Sequence, residues 1–227
     1  MLKNKFFLLL VLAAVTLNSA AQAQQYLEDK SGRPFKSGLG ADLTGNPLLF
    51  DDWVKGTVEL SGNKVYKDVP MNIDIMGQQV IYKGKEGEKM SFNDDVVSAA
   101  FYSVRDGAVV NRVFKKGFPK SSNTTPKDYF EVLADGQVSL LKRTWKILWE
   151  EKVYNSATLT QTILTKTAYY VYNKSNNTLT LFKPGKSAVL SELSNHKAEV
   201  ETYAKNSKVN FSNDTDLSKL FIYYNSL

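Results

Sequence analysis

The chain has no cysteine, one histidine and only six prolines in 227 residues. Without cysteine there is no disulfide framework, thiolate nucleophile, Cys-ligated zinc, iron–sulfur cluster or lipid-modified N-terminal cysteine. One histidine excludes a multi-histidine metal site and leaves a single imidazole for acid–base work. Beyond the N-terminal segment no stretch is apolar enough to cross a membrane as a helix. Neither a Gly-x-Ser-x-Gly elbow nor an Asp-x-Asp-x-Asp-Gly calcium loop is present, and no motif asks for a cofactor or a metal.

What is present begins with a leader. Lys3 and Lys5 precede an apolar run from Phe6 to Leu17, and Ala21-Gln22-Ala23 is a small-x-small cleavage site. This is the pattern of a secretory signal peptide, with a core too short for the roughly 20 residues of a membrane span. Cleavage after Ala23 removes 23 of 227 residues and leaves 204. It also removes two lysines, so the formal charge falls from +6 to +4. An exported chain without cysteine relies on its core alone, which fits the periplasm or surface of a Gram-negative bacterium. Nucleic acid is not an expected partner there. The modest basic surplus suits solubility or loose attraction to anionic envelope components.

Residues 24–47 are polar and broken by Gly32, Pro34, Gly38, Gly40, Gly45 and Pro47, an irregular lead-in. From Leu48 to Lys183 short alternating runs are punctuated by turn residues, among them Ser61-Gly62-Asn63, Asp106-Gly107 and Asp135-Gly136. That spacing predicts an antiparallel β-meander. In the long run Gln137–Trp149 the apolar phase changes between Leu140 and Leu141, which predicts a bulge or twist. Tyr169–Tyr172 is aromatic on both faces and reads as core beneath the C-terminal helices. After Pro184-Gly185 the period becomes helical: Val189, Leu190, Leu193, Val200 and Ala204, with a break near Ser194-Asn195. Asn213 caps a last helix carrying the stripe Leu217, Leu220, Phe221, Tyr224. The expected fold is therefore α+β, mainly β. An antiparallel meander (sheet, sandwich or partly open barrel) over residues 48–183 is followed by two or three helices in residues 184–227. One domain is preferred, and residues 117–128 mark the boundary if there are two.

Four residues form the candidate binding strip: Lys142, Arg143, Trp145 and Trp149. The indoles share one face of a strand and can stack on a sugar ring, while the cations meet an anionic group. The competing reading is a core strand with snorkelling cations. The pairs Asp51-Asp52 and Asp94-Asp95 are the densest carboxylates. Glycoside hydrolysis needs two carboxyls about 5–10 Å apart, and adjacent strand residues point to opposite faces, so turn and cap roles are expected for them. His196 borders a helical stripe and reads as a surface residue. Catalytic residues are not identified.

The run Gly45-Asn-Pro-Leu-Leu-Phe-Asp-Asp-Trp-Val-Lys-Gly-Thr-Val and the ending Asp216-Leu-Ser-Lys-Leu-Phe-Ile-Tyr-Tyr-Asn-Ser-Leu carry a resemblance. With its leader, the chain resembles exported proteins of Bacteroidetes-type Gram-negative bacteria that have no assigned activity. The resemblance implies export and assigns no residue a role. The expectation is a non-enzymatic envelope protein that binds a glycan or envelope component through its sheet. A carboxylate-dependent glycan or peptide hydrolase and a structural subunit of an envelope complex are the alternatives.

Overall fold

The computed structural model describes residues 32–35, 45–105, 107–152 and 159–227. The expected leader, most of the lead-in and Asp106 of one expected turn lie outside them. The strands are β1 (Gly32–Pro34), β2 (Val54–Leu60), β3 (Lys64–Asp74), β4 (Gln79–Lys83), β5 (Lys89–Phe92), β6 (Val96–Arg105), β7 (Ala108–Lys115), β8 (Phe130–Ala134), β9 (Val138–Lys152), β10 (Leu159–Asn173) and β11 (Thr178–Phe182). Helices α1 (Lys186–Glu192), α2 (Lys197–Asn206) and α3 (Asp214–Tyr224) follow, with a 3₁₀ turn at Ser194–His196 between the first two. The fold is mainly antiparallel β with three C-terminal helices, as the patterning predicts, and the sheet is not closed.

The sheet order is β1-β5-β4-β3-β2-β6-β7-β8-β9-β10-β11. Every neighbour is antiparallel, so β5 and β6 run in the same sense although β4, β3 and β2 lie between them. Strands of equal sense normally need a crossover of about a dozen residues. Here three residues, Asn93–Asp95, make the connection. In a flat sheet four strand gaps span about 19 Å, whereas a three-residue link reaches roughly 14 Å at most. The sheet must therefore coil until the end of β5 arrives at the start of β6. Two hydrogen bonds show the same coiling: Tyr129 N–H donates to Gln78 Oε1 at 2.9 Å, and Lys146 N–H donates to the Ile75 carbonyl at 3.4 Å. Both join the β3–β4 turn to chain lying four or five strands away in sheet order.

The coil encloses one apolar core, which includes Val58, Leu60, Met71, Ile73, Tyr82, Phe92 and Phe101. Register explains how β3 keeps its apolar side inward. Gly56 faces Val69 and Val58 faces Tyr66, so Lys67 and Asp68 together oppose Thr57. The extra residue is taken up at Asp68, with φ 56°. β3 is thus one continuous, bulged strand from Lys64 to Asp74. A second core forms where α1, α2 and α3 cover one face of β8–β11, around Leu140, Val171, Phe182, Val200, Leu217 and Phe221. A third, smaller one lies on the opposite face of the same strands: Phe130, Leu141, Tyr170 and Leu179, with Phe118 and Tyr172 against it.

Two sequence expectations are refined by the structure, and one turn glycine is fixed by packing. The irregularity expected between Leu140 and Leu141 is present, but the extra residue, Leu133, is on β8; β9 and β10 pair without a register shift from Val138 to Lys152. Both faces at the start of β9 are covered, so apolar residues occur in both phases; the shift lies across β8–β9, between Val132 and Ala134. Only Tyr169 and Val171 pack with the helix-covered core, while Tyr170 and Tyr172 belong to the other face. Gly136 is required for space and not for a positive φ. A Cβ there would meet the Asn225 side chain at 2.3 Å. That side chain clamps α3 to β9, accepting from Val138 N–H at 3.0 Å and donating to the Val138 carbonyl at 2.8 Å.

Asn72 performs a similar task for the segment just before β2. It is 1% exposed, accepts from Phe50 N–H and donates to the Phe50 and Asp52 carbonyls. Asn72→Ala strands three backbone groups and is expected to cost about 2–4 kcal/mol in urea unfolding. A loss below about 0.5 kcal/mol would show that the segment before β2 does not depend on it.

Candidate functional site

The four strip residues do not assemble as one surface. Successive strand residues alternate faces, so Arg143, Trp145 and Trp149 share the face opposite the helices, and Lys142 points to the helix side. There Lys142 Nζ lies 2.6 Å from Asp214 Oδ2 and 5.4 Å from the Tyr169 ring centroid. Arg143 is committed as well. It donates to Asp128 Oδ1 and to the Asn123 carbonyl, both at 2.9 Å, and its guanidinium sits 4.7 Å over the Trp145 ring. Trp145 is half-buried, and Trp149 is 53% exposed. What remains accessible is a row of Trp149, Ile147 and part of Trp145, facing Thr162, Leu164 and Lys166 of β10.

On the helix side Lys142 joins a charge cluster that sequence reasoning missed. Glu131, the second residue of β8, is 2% exposed. Arg112 holds it through two bonds, Nε to Oε1 and Nη2 to Oε2, both 2.8 Å, and Arg105 donates to Oε1. Arg112 also stacks over Phe50 and Phe114 at 5.2 and 5.3 Å. Burial, and after it the nearby Arg105, pulls the Arg112 guanidinium down to about 10, still high enough to stay charged at neutral pH. Lys142 lies directly opposite Glu131 in the register. Asp214, at the first turn of α3, accepts from Lys142 and from the Tyr169 hydroxyl at 2.8 Å. Burial, and next that bond, pushes the Tyr169 phenol up. The one charge inside the apolar run Phe130–Ala134 is the sequence signal that could have found this cluster. It ties α3 to the sheet and has no open recess among those described.

The recess lies at the seam. A cleft of about 310 Å³ is lined by Arg33, Gln78, Gln79, Asn93, Asp94, Asp95, Lys116 and Tyr129, over Val80, Phe92 and Val96. A second recess of about 450 Å³ shares Gln78, Asp95 and Lys116 with it and adds Val97, Gly117, Pro126 and Lys127. Their walls are strand ends and turns drawn together by the coil. Gln78, at φ 51°, donates to the Ile75 carbonyl at 2.9 Å while accepting from Tyr129 N–H. The Tyr129 hydroxyl donates to the Val96 carbonyl at 3.0 Å, and burial pushes this phenol up too. Asp95 pairs with Lys116, whose ammonium lies 5.5 Å over the Tyr129 ring; Asp94 pairs with Lys64 at 2.6 Å. Asp94-Asp95, expected as turn residues, thus bear lysine partners at the mouth of a cleft. Asp51 and Asp52 are exposed where the chain approaches β2. His196 is half-buried on the 3₁₀ turn, with Nδ1 3.9 Å from Glu199. Among the described residues no cluster of three or more His, Cys, Asp or Glu could hold a metal ion.

Fold and cleft together define a coiled, unclosed antiparallel meander with a helical C-terminal layer and a polar recess at its seam. No family model, curated protein or solved structure matches the chain.

Glu131→Ala leaves two guanidiniums without their counter-ion in a buried setting. It is expected to cost about 3–5 kcal/mol in urea unfolding. A cost under about 1 kcal/mol would mean that the cluster is solvated and contributes little.

Proposed function

We propose that this chain is an exported cell-envelope protein that binds a ligand or partner through its β-sheet without transforming it. The leader and the resemblance to exported Bacteroidetes-type proteins support the compartment, the periplasm or surface of a Gram-negative cell. No helix among the described residues is long and apolar enough to cross a membrane. The observation that carries the binding reading is the two-part seam recess, where donors and acceptors from five separated chain segments converge. Convergent polar groups over an apolar floor are the usual make-up of a small-molecule site, and both volumes fall in the usual range for such sites.

Hydrolysis by paired carboxylates is the second reading, and among the described residues Asp94 and Asp95 are the carboxylates that line the recess. Each already faces a lysine ammonium group, which suits binding better than proton transfer. The exposed Trp149 row is a second, flatter surface on the same sheet.

Two measurements test this reading. Mass spectrometry of protein recovered from a Gram-negative host should give an N-terminus at Gln24; an intact Met1 in the cytoplasmic fraction would contradict export. In a pull-down from envelope extract, the tagged chain should capture a component that is lost with Asp95→Ala/Lys116→Ala. Capture unchanged by that double variant and abolished by Trp149→Ala would move the function to the β9–β10 row.

A further inference from the structure

We infer that the seam recess takes a neutral saccharide of at least two rings; this rests on the reading of the recess as the ligand site and names its ligand class. Charge is the first reason. In the first recess Arg33 and Lys116 balance Asp94 and Asp95, and both carboxylates are already closed by lysine. An ionic ligand would have to break one of these pairs or rely on Arg33 and Lys127, which are exposed and screened by solvent. A hydroxyl both donates and accepts, so it bridges a carboxylate and an ammonium group without separating them. Pairs of vicinal hydroxyls suit the amides of Gln79 and Asn93 on the same wall.

The second reason is the division into polar and apolar parts. A pyranose ring has a rim of hydroxyls and a face of C–H groups. The first recess offers polar groups around Val80, Phe92 and Val96. The adjoining one offers Val97, Gly117 and Pro126. Val97 is 42% exposed, an apolar side chain with a reason to be accessible if a sugar face covers it. Because the two recesses share Gln78, Asp95 and Lys116, one chain of rings can occupy both. The third reason is rigidity. Gln78 and Tyr129 are fixed by three hydrogen bonds to backbone groups, so the walls are set before the ligand arrives and little ordering entropy is lost on binding.

The test is a calorimetric titration of the leader-free chain against neutral gluco-, manno- and N-acetylglucosamine oligosaccharides, with an oligogalacturonate as the anionic probe. At least one neutral probe should bind, with an affinity little changed between about 50 and 500 mM salt. Asp95→Asn and Gln79→Leu should each weaken it about tenfold or more, and Trp149→Ala should leave it unchanged. Gln79 has no side-chain partner among the described residues, so its variant isolates binding from folding. Binding of no neutral probe, or of oligogalacturonate alone with a steep salt dependence, overturns the neutral-saccharide inference. Neutral-sugar binding that survives both recess variants overturns the placement. If no sugar binds while envelope capture still depends on Asp95 and Lys116, the ligand class fails and the binding reading stands.

Discussion

Three residues join β5 to β6, two strands of equal sense separated by three others in the sheet. Chain geometry leaves only one way to satisfy that link, which is to coil the sheet on itself. The coil encloses the largest apolar core and brings the β3–β4 turn against the chain before β8 and against β9. It also leaves a seam. The link itself, Asn93–Asp95, becomes a wall of the recess there, so the same constraint that shapes the fold shapes the candidate site. Full closure would remove the seam, and a flat sheet would never form it.

Charge is used differently in the two places where it gathers. Around Glu131 it is buried, geometrically fixed and positioned between the coil core and the helix-covered core, where it ties α3 to the sheet through Lys142, Asp214 and Tyr169. Such a cluster contributes specificity more than net stability, since desolvation offsets most of the attraction. At the seam the pairs are exposed. Lys64–Asp94 and Lys116–Asp95 add little to stability, but they hold polar groups of fixed spacing at an accessible mouth. The first arrangement suits architecture and the second suits recognition.

Much of the fold was legible in local pattern. The alternation of Met71, Ile73 and Ile75, the turn at Ser61-Gly62-Asn63, the break at Ser194 and the Asn213 cap, whose side chain accepts from Asp216 N–H, each follow from side-chain periodicity or backbone preference within a few residues. The strand at Gly32–Pro34 was not legible, because it is held by pairing with β5 and has no period of its own. The candidate site was only half legible. Trp145 and Trp149 do share a face, as spacing dictates, yet Arg143 is drawn to Asp128, fifteen positions earlier in the chain, and Lys142 to Asp214, seventy-two later. Spacing within a strand assigns a face and says nothing about what waits there. The seam recess unites Gln78, Asp95, Lys116 and Tyr129, which no local pattern relates. The signal that relates them is the β5–β6 link, too short for the strands it joins.

The coiling of the sheet is the central claim, and a single nuclear Overhauser contact tests it most directly. In the ¹⁵N-labelled chain the Gln78 side-chain amide and the Tyr129 backbone amide should give a cross-peak, because Tyr129 N–H donates to Gln78 Oε1 at 2.9 Å. In a flat sheet of the same strand order those groups would lie about 24 Å apart, well beyond the range of the effect. A cross-peak is the predicted result. Its absence, with the cross-strand contacts of the β6–β7 hairpin intact, would contradict the coiled sheet and the recess built on it.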